Sequence, residues 1–127
     1  MPESREHRVA IAVMEDERHV ASHFGAAPRF IILKVKNGKV TAREVRTNTD
    51  KCIHASGTLG CWAVMEKVLP DVRVVISAGM GENAYVGLLR RDVLPLVTEE
   101  TDVEQAVRDY LHDRLQENPG LVHPPFK

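Results

Sequence analysis

Phe30-Ile31-Ile32-Leu33-Lys34-Val35-Lys36, followed at once by Asn37-Gly38 and then by Lys39-Val40-Thr41-Ala42-Arg43-Glu44-Val45-Arg46, reads as a β-hairpin. The first run is apolar and rich in β-branched residues, as a buried strand requires. Asn-Gly supplies the positive φ that a tight primed turn needs at both central positions. In the returning run, Val40, Ala42, Glu44 and Arg46 alternate with Lys39, Thr41, Arg43 and Val45. Neither face is apolar, which places this strand at an edge of the sheet.

Outward from the hairpin, the pattern becomes α/β. Upstream, Arg8 to Val13 (RVAIAV) is a short apolar strand, bounded by the charged run Glu15-Asp16-Glu17-Arg18 and a polar loop with His19, His23, Gly25 and Pro28. Downstream, Thr47 to Gly60 is a polar loop carrying Cys52 and His54. Cys61 to Leu69 (CWAVMEKVL) reads as a helix stopped by Pro70, and Val72 to Ser77 as a fourth strand. Ala78-Gly79-Met80-Gly81 turns into a helix over Glu82 to Arg91, where Gly87 predicts a close approach by a neighbour.

Val93 to Val97 is a fifth strand, and Pro95 argues for an edge position. Thr101 and Glu104 match a capping box ahead of a stripe of Val103, Ala106, Val107, Tyr110 and Leu111. Residues 1–7 are expected to be a disordered tail, 8–116 one domain, and 117–127 a loose proline-rich tail.

The order β-β-β-α-β-α-β-α predicts a mixed five-stranded sheet in which the second strand is antiparallel. The loops after strands one, three and four then emerge along one rim. Those loops hold His23, then Cys52 with His54, and then Gly79-Met80-Gly81. Open α/β sheets receive ligands at such carboxyl ends.

Composition removes several classes of function. Of 127 residues, 17 are Lys or Arg and 18 are Asp or Glu, for a net charge of -1. That balance lacks the positive excess that drives non-specific nucleic-acid binding. No apolar run reaches the roughly 20 residues that span a bilayer, and no secretory segment opens the chain, so a cytoplasmic location is expected. The two cysteines are then expected as thiols, metal ligands or redox groups rather than a bridge. No nucleophile, base and orienting group can be assembled, so the chain is not expected to be an enzyme.

Three constellations remain. His23, between Ser22 and Phe24-Gly25, suits a metal ligand, a proton donor or an ordinary surface histidine. Cys52, His54 and Cys61 offer soft and borderline ligands, and Cys61 at a helix start would favour its thiolate. Each cysteine also reads as a plain thiol, and Cys61 as packing beside Trp62. Gly79-Met80-Gly81-Glu82-Asn83-Ala84 fits a dinucleotide fingerprint, with Glu99 at the ribose distance, but only one strand follows it. The broader inference is an anion-attracting helix start.

Taken together, Ser22-His23-Phe24-Gly25, Ala27-Pro28, Phe30, Asn37-Gly38-Lys39-Val40 and Val75-Ile76 with Ala78-Gly79-Met80-Gly81 closely resemble the dinitrogenase iron–molybdenum cofactor biosynthesis family, over about residues 8–115. The resemblance implies a ribonuclease-H-like three-layer fold, with helices on both faces and no nuclease activity. It implies a carrier or accessory protein for an iron–molybdenum or iron–sulfur type cluster, which purified protein need not retain. Its partner would be a cluster-synthesis or acceptor metalloprotein. By the same resemblance His23 is implicated in cluster binding, while Cys52, His54 and Cys61 do not carry over from the family and are candidate ligands as a subfamily addition, or else incidental. Phe24, Gly25, Gly79, Met80 and Gly81 would form the surrounding cradle. A metal-free module for an anionic metabolite or nucleotide at Gly79–Gly81 is the competing expectation.

Overall fold

A computed structural model of the chain describes residues 6–49 and 63–123. Strands β1 (His7–Val13), β2 (Arg29–Lys36) and β3 (Lys39–Thr47) follow one another as an antiparallel meander. Asn37 at φ 53° and Gly38 at φ 76° make the expected turn. One extra residue, Thr41, bulges β3 opposite Lys34 and Val35, and its hydroxyl donates to the Lys34 carbonyl at 3.2 Å. β3 is the outer strand and is solvent-facing along almost its whole length, as its mixed faces require.

β4 (Val74–Ser77) runs parallel to β1. A two-residue strand, β5 (Met80–Gly81), then leads into helix α1 (Glu82–Arg90). β6 (Leu94–Val97) pairs parallel to β4, completing a five-stranded sheet in the order β3-β2-β1-β4-β6 with β2 antiparallel to its neighbours. Pro95 thus stands on the second edge strand, and the Asn118 N–H donates to the Val97 carbonyl there at 2.7 Å, so part of that edge is covered. Helix α2 spans Val103–Leu111, and a final strand β7 (Val122–His123) pairs with β5.

Side chains alternate across a strand, so β1 feeds two separate cores. Ala10 and Ala12 join Ile32 and Val75 in a cluster with Val64, Met65, Ala84 and Leu88. Val9, Ile11 and Val13 join Ile31, Leu33, Val74 and Ile76 in another, with Val103, Ala106 and Val107 of α2. Small residues on the α1 side leave room for Phe24 and Phe30, whose rings meet at 5.7 Å and 59°.

Three local expectations are corrected. The described part of the run Cys61–Leu69 is not a regular helix: Val64–Val68 forms a wide π turn, closed by Leu69 N–H to the Val64 carbonyl at 3.0 Å. Arg46 holds the end of this turn, donating to the Val68 carbonyl at 2.9 Å and in a fork to Asp71 at 2.7 and 2.9 Å. Helix α2 is capped by Asp102, which accepts from Gln105 N–H at 2.8 Å, and not by Thr101. The Thr101 carbonyl is bound to Val20 N–H at 2.8 Å, which keeps that residue in the preceding loop, and Glu104 pairs with Arg43 at 3.1 Å. Finally, the segment after Glu117 is tied down as far as His123, through Asn118 and β7, where a loose tail was expected.

Gly87 is a close-approach position: a Cβ there would lie 3.2 Å from Met65 Cε. The obstructing atom is the end of a flexible thioether, which moves at little cost. Replacing glycine by alanine within a helix favours folding by about 1 kcal/mol. Gly87→Ala is therefore expected to leave the midpoint of urea unfolding unchanged or raised, and a clear fall would show that Met65 has nowhere to go.

Candidate functional site

β1 ends at Val13, and the chain curls back before reaching His23. Asp16 shapes that curl. Its carboxylate accepts from the backbone N–H groups of Arg18 at 2.9 Å and His19 at 3.1 Å, and pairs with His19 Nδ1 at 2.5 Å. The Arg18 N–H and the His19 contacts together outweigh the desolvation that opposes them, and hold the Asp16 pKa down at about 2. His19 is thereby committed to Asp16, and no helix aligns it with His23. Asp71 is depressed as well, chiefly by its hydrogen bonds from Arg46 and further by that guanidinium's charge.

A carboxyl depressed in the folded state contributes stability that is present above its unfolded pKa and is lost as pH falls through the folded one. Both aspartates start from an ordinary 3.8. The protein is expected to hold its stability down to about pH 4 and to lose it progressively below. Asp71→Asn should flatten that acid limb in urea titrations at successive pH values, and an unchanged limb would remove Asp71 from the account.

From the curl, the chain rejoins the sheet. Ala21 N–H donates to the Ala12 carbonyl at 2.7 Å, and the Ala21 carbonyl accepts from Ala78 N–H at 2.8 Å. Three residues on, Phe24 N–H donates to the Gly79 carbonyl at 3.0 Å. His23 is therefore adjacent in sequence to a residue bonded directly to the glycine turn. The two loops expected to meet at one rim do meet, and the His23 side chain is exposed there.

The side chain of Phe24 faces inward, fully buried, and Met80 is 1% exposed within the same core. What these two positions offer the rim is backbone. Gly25 is buried and Gly81 is exposed. Ser77 shapes the turn before α1: its hydroxyl donates to the Gly79 carbonyl at 2.5 Å and accepts from Gly79 N–H at 3.1 Å. Helix α1 then starts on Gly81, which has no side chain to cap it, so the first-turn N–H groups keep the partial positive charge of an uncapped helix start. Glu82 in that first turn opposes an anion, but is itself exposed and free to swing away.

Asn48 is the functional-site residue that sequence reading missed. It is 3% exposed, and its amide donates to the carbonyls of Gly25 at 3.2 Å and Ala27 at 2.8 Å, while its own N–H donates to the Pro28 carbonyl at 3.0 Å. It fastens the exit of β3 to the His23 loop. The third expected loop thus departs from the same rim. Cys52, His54 and Cys61 themselves lie outside the described residues. Among the described residues, no three His, Cys, Asp or Glu side chains come together as a metal site. No described helix is long and apolar enough to cross a membrane.

A separate cleft of about 500 Å³ lies at the opposite ends of the parallel strands, lined by Leu69, Pro70, Arg73, Arg91 and Val93 among others. It is remote from the carboxyl ends where α/β sheets gather ligands.

Residues 7–113 match the sequence profile of the family described as dinitrogenase iron-molybdenum cofactor. An uncharacterized protein of Methanocaldococcus jannaschii is 22% identical over 107 residues, covering 84% of this chain and 88% of that one. Among solved structures, a Thermotoga protein provisionally named NifB superposes with a TM-score of 0.65 at 29% identity, covering 87% of this chain and 92% of its own. The apo form of the orange protein of Desulfovibrio gigas reaches a TM-score of 0.71 at 20% identity, covering 92% and 97%.

Proposed function

We propose that this chain, which belongs to the dinitrogenase iron–molybdenum cofactor family, is a cytoplasmic, non-catalytic carrier of an anionic metal–sulfur cluster on a ribonuclease-H-like scaffold. The cluster is cargo, taken from a synthesis protein and passed to an acceptor metalloprotein. The observation that carries this reading is the hydrogen bond from Phe24 N–H to the Gly79 carbonyl at 3.0 Å, which ties the loop carrying the exposed His23 to the turn that leads into α1.

A sulfide-rich cluster is anionic and soft. The N–H groups at the start of α1 attract its charge. His23 supplies an imidazole nitrogen to a metal at its edge, and Cys52, with His54 and Cys61, would supply further ligands from the loop that leaves the rim at Asn48. A single described imidazole and a set of backbone dipoles suit a group that must leave again. A closed four-ligand cage does not.

The test is anaerobic reconstitution with ferrous iron, sulfide and tetrathiomolybdate, followed by metal analysis and the visible spectrum. His23→Ala is expected to weaken retention by about a hundredfold, since even the hydrogen-bond partner of a ligand is worth about 10–100-fold. Uptake unchanged in both His23→Ala and Cys52→Ala would sink the assignment of the site.

The uncapped start of α1 favours one competing reading, a metal-free module for a phosphorylated metabolite. That reading expects a thousandfold excess of such a ligand over its dissociation constant to add about 4 kcal/mol of apparent stability with no metal present. No thermal shift across a nucleotide panel removes it.

A further inference from the structure

Residues 118–123 lie beyond the 7–113 stretch shared with the family, yet they run to the candidate site. Asn118 is their anchor. Its N–H donates to the Val97 carbonyl at 2.7 Å, its amide nitrogen donates to Glu99, its side-chain oxygen accepts from Gly120 N–H at 3.0 Å, and its carbonyl accepts from Leu121 N–H at 3.0 Å. Past this anchor the chain makes one 3-10 turn, Pro119–Leu121, and enters β7. There Val122 pairs with Met80 and His123 with Gly81. Leu121 and Val122 are only partly buried, against the core that holds Met80 and Ala84.

The glycine turn therefore has two neighbours besides its own strand and helix: the His23 loop, bonded to Gly79, and β7, paired with Met80 and Gly81. The two are not held equally. The His23 loop is pinned by a fully buried ring and by Asn48. β7 is held by a two-residue ladder, two half-buried side chains and a surface asparagine. Segments of that kind open locally, without unfolding the sheet behind them. Gly81 is also the residue on which α1 starts and stays exposed beside β7, so opening β7 frees one border of the helix start.

We propose that Asn118–His123 is a strap along the glycine turn, closed while cargo is held and opened for its release. This rests on the carrier reading above. The strap sets how fast cargo leaves, whereas His23 sets whether it binds.

The experiment uses the full-length chain, Asn118→Ala, and a chain ended after Glu117. Without cargo, amide hydrogen exchange at Met80, Gly81 and Glu82 is expected to quicken about tenfold in Asn118→Ala, with β1 and β2 unchanged, because the two side-chain hydrogen bonds that Asn118 makes to Glu99 and Gly120 are lost. With tetrathiomolybdate bound, its transfer to a metal-free trap, followed by visible absorption, should also quicken about tenfold in both altered chains while the amount initially bound stays the same. Exchange at Met80–Glu82 that ignores Asn118→Ala overturns the strap, and so does unchanged or slower release from the shortened chain. A wild-type chain that takes up no thiomolybdate sinks the carrier reading instead, and the strap's hold on the glycine turn then stands or falls on the exchange measurement.

Discussion

Phe24→Ala is expected to lose about 3–5 kcal/mol of stability, the cost typical of emptying a phenylalanine-sized space in a packed core. The residue is fully buried, tilted against Phe30, and part of the core that holds the small Ala10 and Ala12 side chains of β1, which have no means of growing into the space. Domains of this kind have about 5–15 kcal/mol in all, so the variant should sit close to the edge of folding. Urea unfolding is the measurement: the midpoint should fall steeply with the slope unchanged. Phe24→Leu refills most of the volume and should cost less than about 1.5 kcal/mol. A loss below about 1 kcal/mol for the alanine variant would mean that the ring is not part of the core. The prediction also bears on function. The sequence pattern groups Phe24 with His23 as one motif, but the two side chains are placed oppositely, one buried where it fixes the loop and one exposed on it.

That division shows what a sequence can reveal here. The five strands, their order and the antiparallel second strand follow from local signals: an Asn-Gly turn with two positive φ values, an apolar run, and a proline on an edge. Such signals act within a few residues and survive any tertiary context that agrees with them. The meeting of the His23 loop with the glycine turn also followed, because strand direction fixes the end at which each loop emerges. What did not follow were choices decided by distant partners. Thr101 is as good a cap by composition as Asp102, but its carbonyl is claimed by Val20, a neighbour in space that is distant in sequence. A helical pattern over Val64–Val68 gives no hint that the turn will widen, with Arg46 reaching in from the edge strand to hold its end. The proline-rich end looks loose because the ladder of its described residues is with two residues just over forty positions earlier. Asn48 carried no signal at all, being one polar residue in a polar loop.

Asn48→Ala is the second large effect expected, about 2–3 kcal/mol. An unpaired buried carbonyl costs about 1–3 kcal/mol, and this change removes the donor to two of them, at Gly25 and Ala27. Asn48→Asp is the sharper variant, because it keeps the volume and replaces a donor by an acceptor facing the same two carbonyl oxygens. A carboxylate in that position is both buried and repelled, so its pKa in the folded protein must rise above the ordinary value. Between the unfolded and the folded pKa the unfolded chain has given up a proton that the native one keeps, so stability falls as pH rises across that window. Asn48→Asp should therefore regain stability relative to wild type on acidification from neutral pH toward about pH 4, where the protonated acid can donate to one carbonyl. The wild-type protein runs the other way below that point, through its depressed Asp16 and Asp71. Two urea series, at pH 7 and about pH 4.5, decide it. A stability gap that stays constant or widens in acid would show that the position-48 side chain points to water, and would free the His23 loop from its tie to the end of β3.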